Sequence, residues 1–147
     1  MSGEENRAIA LRLYEEIINT GDFDRAEEVL SPNFVEHEEV PVPADLQGID
    51  AFKQFFSMLR GAFPDMRMDV QDMIAEGDKV VARLTVHGTH QGEFMGMPPT
   101  DNPIEVTATD IFRIGDGKIV DHWGNIDNLG MMQQLGAIPP PGQTGRS

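Results

Sequence analysis

The chain has no cysteine. That excludes disulfides, thiolate nucleophiles and thiolate-ligated metal. It has no run of 18 apolar residues, so no membrane-spanning helix is expected. Its first residues, MSGEENRAIA, are acidic where a secretory signal would be basic and then apolar, and a cytoplasmic location is the expectation. Positive charge is scarce: 11 Lys and Arg stand against 25 Asp and Glu, a formal net charge of −14. Such a surface repels phosphate backbones and anionic headgroups, so neither nucleic acid nor membrane is an expected partner. There is one Trp and one Tyr. What remains is 147 residues, enough for one domain with a core and a ligand cavity in it.

The pattern changes period once. Ser2 and Glu5 fit a capping box, and Ala10, Leu13, Tyr14, Ile17 and Ile18 then recur on one face of a helix that stops at Thr20-Gly21. A short second helix, about 23–30, follows Asp22 as cap. NFVEHEEV is a strand or strand-like entry, and PVPADLQG a loop. Ile49, Phe52, Phe55, Phe56 and Leu59 mark a third helix, stopped by Pro64. Beyond it, MRMDVQDMIAEG, KVVARLTVHGTHQG, IEVTATDIFRI and KIVDHWGNI alternate as strands, with turns at Gly77-Asp78 and Gly115-Asp116-Gly117. GEFMGMPPTDNP is a loop. Asp127 or Asn128 caps a last short helix through Leu135, and the tail from 139 to 147 carries no pattern. Three helices and a four-stranded antiparallel meander make an α+β domain over 1–138, with a pocket between helices and curved sheet.

Strand parity sorts the candidate residues. Val80, Ala82, Leu84 and Val86 form the apolar face of their strand, and the same parity leads to Gly88 and His90. Ala108, Asp110 and Phe112 share one face; Val120, His122, Gly124 and Ile126 share another. Asp121, Trp123 and His87 then point outward, and an outward Trp fits a dimer interface better than catalysis. Asp110, between apolar neighbours, suits a base that removes an acidic C–H proton, since burial raises a carboxyl's pKa. The bland alternative is an ionised Asp110 bonded to His90 or His122. Glu36 and His37 are adjacent, so only one faces inward. Phe94, Met95 and Met97 could form an adaptable lid or a plug, and the Tyr14 hydroxyl could reach the pocket or a backbone group. No His pair has a helical metal-ligand spacing, so no metal is expected.

The segments NTGD, SPNFVEH, GTHQGEFMGMPPT, IFRIGDGKIVDHW and QQLG occur in an order and spacing that resembles the SnoaL-like polyketide cyclases. That family belongs to the nuclear transport factor 2-like superfamily. The resemblance spans about 7–136. It implies a cone-shaped α+β barrel, a homodimer through the outer sheet face, and ring closure of aromatic polyketide methyl esters by aldol condensation without metal or organic cofactor. It implies pocket positions for His90, Asp110, His122 and Glu36; joined to the parity reading, the expected catalytic residues are Asp110, His122 and His90, with Glu36, His37, Tyr14, Phe94, Met97 and Phe112 expected around the substrate. In those cyclases the catalytic aspartate stands two residues after the histidine of DH, and a histidine stands where Asp110 is. Here the aspartate's position is Gly124. Asp110 or Glu36 takes over the role, or the reaction differs: an epoxide hydrolase-like activation of water, or a non-catalytic binding or dimerisation module.

Overall fold

The computed structural model describes residues 2–139. The expected tail from 139 onward therefore lies outside the described residues, except for Pro139. The capping box forms as read: Ser2 Oγ accepts from the Glu5 amide and Glu5 Oε1 from the Ser2 amide. Helix α1 (Gly3–Arg12) then widens into a π-helical turn, Leu13–Ile18, which closes when the Asn19 amide donates to Tyr14 O at 2.8 Å. The periodicity predicts a continuous α-helix there. What departs from it is the extra residue per turn, held by Asn19, whose side-chain amide also exchanges two hydrogen bonds with the Met68 backbone. The five expected apolar positions of this helix are all buried.

The second expected helix is a 3-10 turn, Phe23–Glu28, and Asp22 makes no capping bond. Strand β1 (Leu30–Glu36) begins earlier and ends sooner than NFVEHEEV suggests. Helix α2 (Gly48–Ala62) follows, then β2 (Arg67–Glu76), β3 (Lys79–Thr89), β4 (Pro103–Gly115), β5 (Lys118–Ile126) and α3 (Asn128–Gln134), the last capped by Asp127 Oδ1 on the Gly130 amide.

The sheet has five strands in the order β1-β5-β4-β3-β2. β2 to β5 form the antiparallel meander, while β1 adds to its edge parallel to β5, which the sequence pattern did not specify. Between β4 and β5, Asp116 and Gly117 both have positive φ, as a two-residue hairpin turn requires. One bulge changes the expected facing. Arg113 pairs with Asp121 and Ile114 with Ile119, so Val120 is left over, and Ile119 rather than Val120 enters the core. From Asp121 onward the expected parity holds.

The helices cover one sheet face. Their apolar stripes meet Val80, Ala82, Leu84, Phe112 and Ile114 in a single core cluster. α2 lies against β1 and the 3-10 turn, and it holds Phe52, Phe55 and Phe56 over the sheet without closing on it. The space left beneath is the cavity.

Candidate active site

The cavity has about 790 Å³ of free space, its mouth included. Phe52, Phe55, Phe56 and Leu59 of α2 form one wall, with Leu13, Ile18 and Met68 beside them; Leu84, Ala108, Phe112 and Ile126 form the sheet side. Its polar residues gather mainly in one patch: Tyr14, Glu36, Glu38, Asp110 and His122.

Sheet register builds that patch. Glu36 pairs with His122 across the parallel β1–β5 edge, and Asp110 pairs with Gly124 across β4–β5, one step diagonally from His122. His122 lies between two carboxylates. Its Nδ1 is 2.5 Å from Glu36 Oε2 and its Nε2 is 2.7 Å from Asp110 Oδ1. Carboxylates only accept, so both ring nitrogens carry protons and His122 is an imidazolium. Burial alone would lower its pKa. The hydrogen bonds and charges of Asp110 and Glu36 outweigh that and raise it to about 10. The side chains of His122, Glu36 and Asp110 are 13%, 15% and 15% exposed, so little water competes for these bonds.

The chain of contacts continues at both ends. Tyr14 Oη donates to Asp110 Oδ2 at 2.5 Å, and the Glu38 amide donates to Glu36 Oε2 at 3.1 Å. Tyr14 reaches Asp110 from the π-helical turn and sits edge-on to Phe112. Burial, then the charge of Asp110 and its hydrogen bond, hold the phenol pKa well above its ordinary value, so Tyr14 stays a donor. Both oxygens of Asp110 are thus occupied, one by His122 and one by Tyr14.

Gly124 explains how this arrangement fits. A Cβ built there would lie 2.6 Å from Asp110 Oδ1, 2.8 Å from Glu38 Oε1 and 2.9 Å from His122 Cε1. The volume a side chain at 124 would need is filled by two carboxylates from neighbouring segments. Glu38 is half-buried at this point, and among the described residues no donor reaches its carboxylate. Burial raises its pKa; the charge of His122 opposes that, and the charges of Asp110 and Glu36 add to it.

The residues singled out in the sequence divide into three groups. Asp110, His122, Glu36, Tyr14 and Phe112 come together at the cavity. His37 does not: its Nε2 meets Asp121 Oδ1 at 2.8 Å and its ring stacks on Trp123 at 4.6 Å, on the opposite face, because adjacent residues of an extended chain point apart. His90, Phe94 and Met97 form a separate packed group. The backbone of His90 pairs with Asp101 and Asn102, its Nδ1 meets Thr100 Oγ1 at 3.0 Å, and Phe63 and Phe94 cover its ring. Parity did bring His90 to the inner face. However, the 92–103 loop folds over it and leaves it fully buried, away from the cavity lining. Phe94 and Met97 close that loop on themselves and are not a lid on the cavity. Glu38 was missed. The signal was the two-residue step from Glu36, which keeps a side chain on the same side of an extended segment.

Glu36, Glu38 and His122 offer ligand atoms within 4.8 Å of one another. A metal ion held there would have to displace a proton from a His122 ring nitrogen that now faces Glu36 or Asp110.

A family model for the SnoaL-like polyketide cyclases matches residues 8–135. The chain is 34% identical over 124 residues to nogalonic acid methyl ester cyclase of Streptomyces nogalater, covering 80% of this chain and 88% of the relative. It is 33% identical over 132 residues to an aklanonic acid methyl ester cyclase of Streptomyces peucetius, covering 86% and 88%. Among solved structures, IdmH of Streptomyces antibioticus, a candidate polyketide cyclase, superposes with a TM-score of 0.77 at 35% identity over 89% of this chain and 98% of that one. AclR of Streptomyces galilaeus, a candidate hydroxylase, gives a TM-score of 0.81 at 31% identity over 95% and 85%. On fold, on matched length and on these identities, the chain is a member of the SnoaL-like polyketide cyclase family.

Proposed function

We propose that the protein closes a ring in an aromatic polyketide methyl ester by intramolecular aldol condensation, the class of substrate its methyl ester cyclase relatives are named for. One observation carries this reading: an apolar, phenylalanine-walled cavity with a carboxylate–imidazolium–carboxylate array on its sheet side. Phe52, Phe55 and Phe56 suit the faces of a flat polycyclic molecule. The imidazolium is the patch's positive charge, in a site where little water screens it, and both of its N–H groups are held by carboxylates. Asp110 and Glu36 keep His122 charged and fixed, and Tyr14 fixes Asp110. No group in this scheme needs an electron acceptor or a metal to remove and return a proton.

The test is conversion of an aromatic polyketide methyl ester with a β-keto side chain, followed by liquid chromatography and mass spectrometry. Ring closure gives a product of unchanged mass and new retention, and His122→Gln removes most of it. Substrate that binds and is recovered unchanged contradicts the proposal. Action as a homodimer in the cytoplasm belongs to the same reading. Its support is the outer sheet face, where Trp123 is half-buried and Val35 and Ile74 are exposed. Sedimentation equilibrium on the wild type and Trp123→Arg checks the dimer; a wild-type monomer rules it out.

A further inference from the structure

We propose that Glu38 is the base that takes the C–H proton and the acid that returns it, standing in for the side chain that position 124 lacks. This rests on the ring-closure reading above and names the proton carrier within it. The array alone leaves that carrier unassigned. His122 donates both of its protons to carboxylates. Both oxygens of Asp110 already accept, from His122 and Tyr14. Glu36 Oε2 accepts twice, from His122 and from the Glu38 amide. Glu38 alone among the patch's carboxylates takes no hydrogen bond from the described residues, and it lines the cavity.

Its position agrees with its availability. Glu38 Oε1 lies 2.8 Å from where a Cβ of residue 124 would be, beside Asp110 Oδ1 and His122 Cε1. A carboxylate that could arise from β5 therefore arrives from the segment after β1, and Gly124 is what admits it. The charges that face it are Asp110 from β4, His122 from β5 and Glu36 from β1; α2 presents only apolar side chains to the cavity. Burial and the two like charges favour the protonated form of Glu38, and the imidazolium opposes them. A carboxyl brought nearer to neutrality exchanges protons more readily in both directions.

The step balances without a co-reactant. The Glu38 carboxylate takes the proton from the carbon between two carbonyls, and the C–H electron pair becomes the enolate. The enolate carbon attacks the ketone carbon, a C–C bond forms, and the C=O π pair becomes an alkoxide. The protonated Glu38 returns its proton to that oxygen.

The full chain is mixed in D₂O with an aryl β-keto methyl ester, and loss of the acidic C–H signal is followed by proton NMR from pH 5 to 9. Glu38→Gln is expected to slow exchange by roughly 100- to 10,000-fold, the usual range for a lost general base. It also removes the acid limb of the pH profile, leaves the circular dichroism unchanged, and Glu38→Asp restores part of the rate. A Glu38→Gln rate within threefold of the wild type overturns the assignment. Carbon NMR of labelled glutamate gives an independent readout. A carboxyl signal absent from Glu38→Gln should titrate above the ordinary glutamate range, and one titrating at or below it counts against the proposal. The two readings fail differently. Glu38-dependent exchange without cyclic product sinks ring closure and keeps the base; a bound ester that exchanges nothing sinks both.

Discussion

Replacing Gly124 by alanine tests whether the glycine exists to admit the carboxylates. The added Cβ would meet Asp110 Oδ1 at 2.6 Å, Glu38 Oε1 at 2.8 Å and His122 Cε1 at 2.9 Å, where ordinary contact begins at 3.4 Å. Asp110 Oδ1 would have to retreat by about 0.8 Å to reach ordinary contact, which disturbs its 2.7 Å bond to His122. Overpacking of this kind costs about 1–3 kcal/mol, and a hydrogen bond between charged groups contributes about 1.5–3 kcal/mol. Alanine returns roughly 0.5–1 kcal/mol of backbone entropy. The net expectation is a loss of about 1.5–5.5 kcal/mol, or roughly 5–18 °C in Tm for a domain of this size. Thermal unfolding by circular dichroism measures it. A double-mutant cycle with Asp110→Ala isolates the cause, because the cost of Gly124→Ala should shrink by about 1–3 kcal/mol once Asp110 is gone. Equal cost in both backgrounds, or a Gly124→Ala protein more stable than the wild type, refutes the steric reasoning. For the same reason Gly124→Asp does not simply supply the aspartate that the family resemblance implies at this position: the space is taken.

Tyr14→Phe removes the donor to Asp110 Oδ2 and leaves that oxygen facing an apolar wall. Chemical denaturation should report about 1.5–3 kcal/mol lost with little change in slope, and the rate of ring closure should fall with it. His122 should titrate near pH 10 by imidazole NMR, against 6.5 in the unfolded chain. A pKa raised by folding stabilises fully below 6.5 and is lost as pH climbs to about 10, so stability should decline across that interval, by at most about 4–5 kcal/mol. A midpoint below 7, or stability that rises across the interval, contradicts a charged His122.

Much of the frame was legible because it rests on period. The alternation of β3 and β4 and the parity that gathered Asp110 and His122 are local consequences of a pleated strand, and both hold. Glu36 was legible through resemblance, but its pairing with His122 depends on β1 joining β5 in parallel, a contact between residues 86 positions apart. No local pattern encodes that. Val120 was assigned to the wrong face because a bulge adds one residue without marking the sequence. His90 had the right parity but lies beyond the cavity, under a loop whose path depends on tertiary packing against Phe63. Tyr14 was half legible: its burial follows the helical stripe, whereas its reach to Asp110 depends on the π-helical turn. Gly124 first read as a missing catalyst. With neighbours in view, it is the space in which a carboxylate from another segment sits.

The most direct measurement is single-turnover conversion of an aromatic polyketide methyl ester deuterated at its enolisable carbon, with the product's mass and label read together. If the cavity performs aldol chemistry, the deuterated ester reacts more slowly than the protonated one, the label is lost to solvent, and the product differs from the substrate only by that exchange. Conversion at equal rates with the label retained, or a product heavier by one oxygen atom, would contradict it.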